Sequence, residues 1–176
     1  CPITPNQDGA ETPAYVYSHY FLGRRATALA RIDLLNKLSQ NFDVTVYTHA
    51  DCKDILPTAI YGGKIDYYDT MPTVFQHSKI NLNITLKTIQ TGIPLRAWDI
   101  LGCSGFLLTN FQQELCDFFI PGEDFVYYES PADAIEKAAY FLSHGRERQE
   151  IAHNAFEKIA ASHTFHHRVQ SMFDII

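Results

Sequence analysis

Apolar and polar positions change rhythm several times along this chain, and each change predicts an element. From Tyr15 to Gln40 the spacing is helical: Leu29, Ile32, Leu34, Leu35 and Leu38 recur every three or four residues and make one stripe. Gly23 offers a break within that stretch, and Asn41 suits a helix stop. DVTVYTH (43–49) then reads as a short strand, rich in β-branched and aromatic residues. A loop with Pro57 and Gly62-Gly63 leads to a second predicted strand, KIDYYD (64–69). Met71–Ser78 fits two helical turns, and INLNIT (80–85) a third strand. Beyond it, helix and strand alternate: LRAWDILGC (95–103), FLLTN (106–110), QELCDFF (113–119) and DFVYYE (124–129). Helices from Pro131 to about His144 and from about Arg146 to Ser162 follow, with a short one in HTFHHRVQSMFDII. Residues 1–13 hold three prolines and a glycine without apolar period, and read as a tail or linker.

Short strands alternating with helices imply parallel β-α-β units. FLLTN is almost wholly apolar, as suits a strand covered on both faces. Right-handed crossovers then predict an α/β fold, a Rossmann-like, doubly wound parallel sheet of about five strands in one domain, residues 14–176. Ligands in such sheets bind outside the carboxyl ends of the strands.

Composition narrows the function classes. The 176 residues are 46% hydrophobic and 19% charged, which excludes disorder. The net charge of −6 is the wrong sign for a protein that grips nucleic acid. No apolar run approaches the roughly 20 residues of a membrane span, and no signal peptide is expected. Cys1, Cys52, Cys103 and Cys116 match no zinc or disulfide spacing, so reduced thiols in a cytoplasmic protein are expected. The opening Cys1, in place of Met, suggests that upstream sequence is missing.

Candidate chemistry concentrates in two runs. In INLNIT, Ile80, Leu82 and Ile84 point one way, and Asn81, Asn83 and Thr85 the other. A buried amide without a partner costs about 1–3 kcal/mol. Those polar groups therefore either bond nearby loops or face solvent, or Asn83 and Thr85 line the rim of a ligand cleft. In TGIPLRAWDILGCSG (91–105), Gly92 frees the backbone and Pro94 sits where a first helical residue would be. The free N–H groups of that helix form a natural anion site. Arg96 lies in its first turn, where the helix dipole disfavours a cation unless a phosphate is bound. Asp99, three residues on, shares that face and is placed to accept from ribose hydroxyls; the alternative is a plain Arg96–Asp99 surface ion pair. Gly102, Ser104 and Gly105 form a helix cap that also permits close approach to the backbone. His49 ends a predicted strand, where it would flank a base. His163, His166 and His167 lack supporting metal ligands and read as a solvated helix face. No G-x-G-x-x-G, P-loop, G-x-S-x-G or H-E-x-x-H is present.

KINLNIT (79–85) and GIPLRAWDILGCSGFLLTN (92–110) resemble the C-terminal half of CgeB-like (spore maturation protein) glycosyltransferases, within the group-1 glycosyltransferase superfamily. ELCDFFIPGEDFVYY (114–128), residues 130–157, HTFHHRV (163–169) and ARIDLLNKLSQNFDVTVYT (30–48) extend the likeness over about residues 15–176. The resemblance implies a GT-B enzyme of two Rossmann-like domains, of which this chain is the one that binds a nucleotide-sugar donor. The acceptor domain is then missing, and the fragment alone is expected to be inactive. The acceptor is open: glycan, protein or small molecule. Asp99 stands where the superfamily carries a ribose-binding Glu, and Thr91 where many members carry a second Glu. Ser104 replaces a common Gly. The resemblance implies no cofactor and no metal, in keeping with the lack of a D-x-D motif. The rival reading is a non-catalytic Rossmann-like interaction module that docks a partner on Tyr67, Tyr68, Tyr127 and Tyr128. A receiver domain would need an Asp at the end of its third strand, and INLNIT has none.

Overall fold

The structure is a computed structural model, which describes residues 12–89 and 91–174. The chain opens with helix α1 (Pro13–Val16), continues as a π-helical run (Tyr17–Gly23) and passes into α2 (Arg24–Ser39). The remaining order is β1 (Thr45–Tyr47), β2 (Ile60–Gly63), α3 (Met71–His77), β3 (Asn81–Asn83), α4 (Leu95–Gly102), β4 (Leu107–Asn110) and a 3₁₀ helix (Gln113–Asp117). Then come β5 (Val126–Tyr128), α5 (Pro131–Ser143), α6 (Gly145–Ser162) and α7 (Phe165–Phe173). Of the expected tail, residues 1–11 lie outside the described residues. Thr12 and Pro13 start α1, with the Thr12 hydroxyl accepting from the Tyr15 N–H.

Five strands pair in parallel as two groups, β2 beside β1 and, in order, β3, β4, β5. Alternation along β4 explains the layering. Phe106 and Leu108 face a cluster with Leu34 and Leu38 of α2, Ala138 and Phe141 of α5, and Ile151 of α6. Leu107 faces the opposite cluster, with Ile100 and Leu101 of α4, Phe119, Phe125 and Ala155. Helices therefore cover both faces, as a doubly wound α/β sheet requires. Each fully buried Leu or Phe contributes about 1.5–3 kcal/mol.

Several expectations need correcting. KIDYYD is no strand: β2 is the preceding Ile60–Gly63. The Asp66 carboxylate accepts from the Tyr68 and Asp69 N–H groups, each at 2.8 Å, and this side-chain turn competes with any ladder. Leu29 is exposed, so the buried stripe of α2 runs through Leu34 and Leu38. Gly23 does not break the helix but closes the π-helical run. QELCDFF winds as 3₁₀ rather than α. His163 precedes α7 and packs on Trp98, with centroids 5.3 Å apart, and burial holds its pKa below the usual range. His167 completes a capping box with Thr164, so the three histidines do not form one solvated face.

Candidate functional site

The site grows from the connection between β3 and α4. After β3 the chain turns through residues 84–94 and enters α4 with Pro94 at the cap. Gly92 takes φ +97°, a left-handed conformation in which a side chain would be strained. Its N–H donates to the Glu114 carboxylate from the 3₁₀ helix, so one amide of this loop already holds an anionic group. The cap itself has no side-chain partner, and no described group accepts from the Leu95 or Arg96 amides. Arg96, in the first turn, is exposed and forms no hydrogen bond or ion pair with described residues.

Asp99, one turn on, is partly buried and does not pair with Arg96. It accepts a 2.5 Å hydrogen bond from the Tyr67 hydroxyl instead. That bond, then burial and the Asp99 charge, pushes Tyr67 up to about 12, with Arg96 opposing. The surface ion pair posed as the alternative is therefore not formed.

At its far end α4 closes in a Schellman arrangement. The Ser104 N–H donates to Leu101 C=O and the Gly105 N–H to Ile100 C=O. Ser104 carries φ +56° at the place where glycine is usual. A Cβ on Gly105 would lie 2.8 Å from Asn81 Nδ2 and 2.9 Å from Phe75 C=O, so only glycine fits there. This cap fixes α4 against β3 and β4.

The other expected site residues separate from this group. Asn83 and Thr85 are buried and joined: the Asn83 amide donates to the hydroxyls of Thr85 (3.1 Å) and Thr109 (3.0 Å). The Thr85 N–H donates to Asn110 Oδ1 at 2.7 Å. Their polar atoms serve neighbouring elements, the structural one of the two readings posed above. Thr91 is exposed beside Gly92. His49 lies just past β1, exposed, and makes no hydrogen bond with described residues.

A cleft of about 1230 Å³ separates the two strand groups. Arg96 stands on its wall with Tyr47, Thr48 and Ile84, residues at or just past the carboxyl ends of β1 and β3. Arg31 of α2 also lines it and donates to Ile84 C=O at 2.9 Å. Glu114 was missed in the sequence, and Tyr67 was read there only as part of a docking surface. Each reaches the site across more than twenty residues, and no local spacing signals either contact. Of the aromatic docking surface, Tyr128 is buried and Tyr67 is engaged with Asp99, while Tyr68 is exposed. Among the described residues no group of three His, Cys, Asp or Glu is arranged to hold a metal ion. Cys52, Cys103 and Cys116 are free thiols, and burial raises Cys103 and Cys116. No described helix is long and apolar enough to cross a membrane.

Parallel strands, helices on both faces and an uncapped helix start beside the strand ends define a Rossmann-like α/β domain. The chain belongs to the glycosyl transferase-like family, whose family model matches residues 24–174. Its structure is similar to the C-terminal domain of a glycosyl transferase group 1 family protein (LpcC) from Francisella tularensis, with a TM-score of 0.60. That likeness spans 78% of this chain and 80% of that one at 13% identity, and shows the shared fold of a GT-B C-terminal domain. No curated protein matches the chain.

Proposed function

We propose that the chain is the donor-binding domain of a CgeB-like glycosyltransferase and holds a nucleotide-diphosphate sugar at the start of α4. One observation carries this reading: Arg96 is an exposed guanidinium, unpaired among the described residues, beside amides from which no described group accepts at the amino end of a helix. A cation there opposes the helix dipole by about 0.3–1 kcal/mol, and a bound anion turns that opposition into attraction. Breaking the bond from sugar to phosphate builds negative charge on the β-phosphate. Arg96 and the Leu95 and Arg96 amides meet that charge without a metal ion. Asp99 accepts from the donor ribose, exchanging its Tyr67 hydrogen bond for the sugar hydroxyls. The acceptor and any general base come from a second, amino-terminal domain, so the chain by itself binds donor and transfers nothing.

Thermal unfolding with UDP, GDP and their sugars tests the reading. Ligand at one hundred times Kd adds about 2.7 kcal/mol of stability. One nucleotide diphosphate raises the midpoint, and Arg96→Ala removes the rise while leaving the free protein's midpoint in place. A rise that survives Arg96→Ala counts against the phosphate role of Arg96, and no rise with any nucleotide in the full-length protein counts against donor binding.

A further inference from the structure

We infer that the cleft between β1 and β3 is the seat of a sixth, central β-strand, an apolar segment of the same polypeptide that lies upstream of Cys1.

The two strand groups run β2, β1, then β3, β4, β5, with the cleft between β1 and β3. The six-stranded doubly wound order is 3-2-1-4-5-6. Placed on it, β2 and β1 take positions 3 and 2, and β3, β4 and β5 take 4, 5 and 6. Position 1 is vacant, and it lies where the cleft lies. In that order strand 1 is followed by the crossover helix to strand 2, which here is α2 leading to β1. The strand therefore belongs ahead of α2. The run from Pro13 to Gly23 is helical and so is not that strand.

Backbone groups of a strand point alternately to its two sides. In β1, Val44 C=O accepts from Ile60 and the Thr48 N–H donates to Gly63, so residues 44, 46 and 48 face β2. Thr45 and Tyr47 then direct their N–H and C=O groups at the cleft. In β3 the Asn81 N–H donates to Phe106 C=O, so Ile80, Leu82 and Ile84 turn theirs the other way. Ile84 C=O, taken by Arg31, confirms the direction. Apart from Ile84 C=O, both strand edges thus turn backbone groups to one slot with no strand partner among the described residues.

The lining and the size of the cleft fit a strand. Leu35 and Leu38 of α2 and Ala138 of α5 close one side, and Val74 and Phe75 of α3 with Ile100 of α4 close the other. This is the apolar, two-sided environment of a buried parallel strand. One strand residue in such a layer takes about 160 Å³, from about 3.3 Å of rise, about 4.8 Å of spacing and about 10 Å of depth. The cleft of about 1230 Å³ admits roughly seven or eight residues. A strand parallel to its neighbours ends beside Tyr47, Thr48 and Arg96, and so completes the wall of the donor site.

Backbone amide exchange on the chain, alone and extended through its natural upstream coding sequence, tests this. Alone, Val46 and Asn83 are protected, while Thr45, Tyr47 and Leu82 exchange freely and an apolar dye such as ANS binds the cleft. In the extended protein the latter three amides slow by about 100-fold or more, and the dye is lost. If the extended protein does not purify folded, the upstream segment added in trans as a synthetic peptide gives the same slowing. Free exchange of the three amides in the extended protein, or a reading frame with no β-forming segment upstream, overturns the inference. So does protection of the same amides in the 176-residue chain, whether β1 closes on β3 in the monomer or a second copy fills the slot in a sedimenting dimer.

Discussion

The two strand groups of this molecule have similar sequence signals and different fates. β4 is closed on both faces, with Leu107 at 0% and Leu108 at 1% exposure, and β5 buries Val126 and Tyr128. No residue of β1 or β2 is buried, and Ile60 remains 52% exposed. Val46 and Tyr47 are as strand-prone as anything in FLLTN. What differs is neighbours: β4 has a strand on each side and a helix on each face, whereas β1 has one strand and an open edge. Propensity places a strand, and partners decide how much of it is buried.

The largest expected effects sharpen that contrast. Leu107→Ala and Phe125→Ala are expected to lose about 3–5 kcal/mol in urea unfolding. Val46→Ala, half-buried beside the cleft, is expected to lose about 1 kcal/mol or less. Equal losses would break the comparison.

A comparable effect falls where α6 is fastened to the β5 side. Lys158 pairs with the Asp124 carboxylate, which is 1% exposed and also accepts from the Ile120 N–H. Its second oxygen is buried without a partner. Lys158→Met leaves a buried carboxylate uncompensated and is expected to cost about 3 kcal/mol in the same assay. Adding Asp124→Asn to that variant is expected to recover part of the loss; a double variant as unstable as the sum of the singles would show that the pair is not coupled.

Ser104→Gly removes a non-glycine left-handed residue from the α4 cap. A gain of about 1 kcal/mol is expected in thermal or urea unfolding, and a loss would mean that the serine contributes more than its backbone strain costs.

The smallest effect belongs to Tyr67. Its folded-state pKa of about 12 lies above the ordinary 10, so its bond to Asp99 contributes fully below pH 10 and is lost as pH rises through about 12. Tyr67→Phe is expected to cost well under 1 kcal/mol, screened at this exposed position, and to remove that alkaline loss from the stability profile. An unchanged profile would show that the bond carries no folding energy.

The alternation of helices and strands, and the apolar run of β4, were legible because they are local patterns. The start of α4 was legible for the same reason, since Gly92, Pro94 and Arg96 signal it within five residues. The misplacement of β2 came from Tyr67 and Tyr68, whose strand propensity yields to the Asp66 turn. The polar face of INLNIT is explained by Thr109 and Asn110, a strand away, and the Asp99 environment by Tyr67, thirty-two residues earlier. Those contacts exist only after folding, which is why the site's neighbours were harder to read than its position.

The head of α4 is proposed as an anion site. Isothermal titration of the full-length protein with UDP and GDP, wild type against Arg96→Ala, measures it most directly. Saturable binding of one diphosphate is expected, weakening with added salt and disappearing in Arg96→Ala while the variant stays folded. Binding of equal strength in both proteins, or none in either, would contradict it.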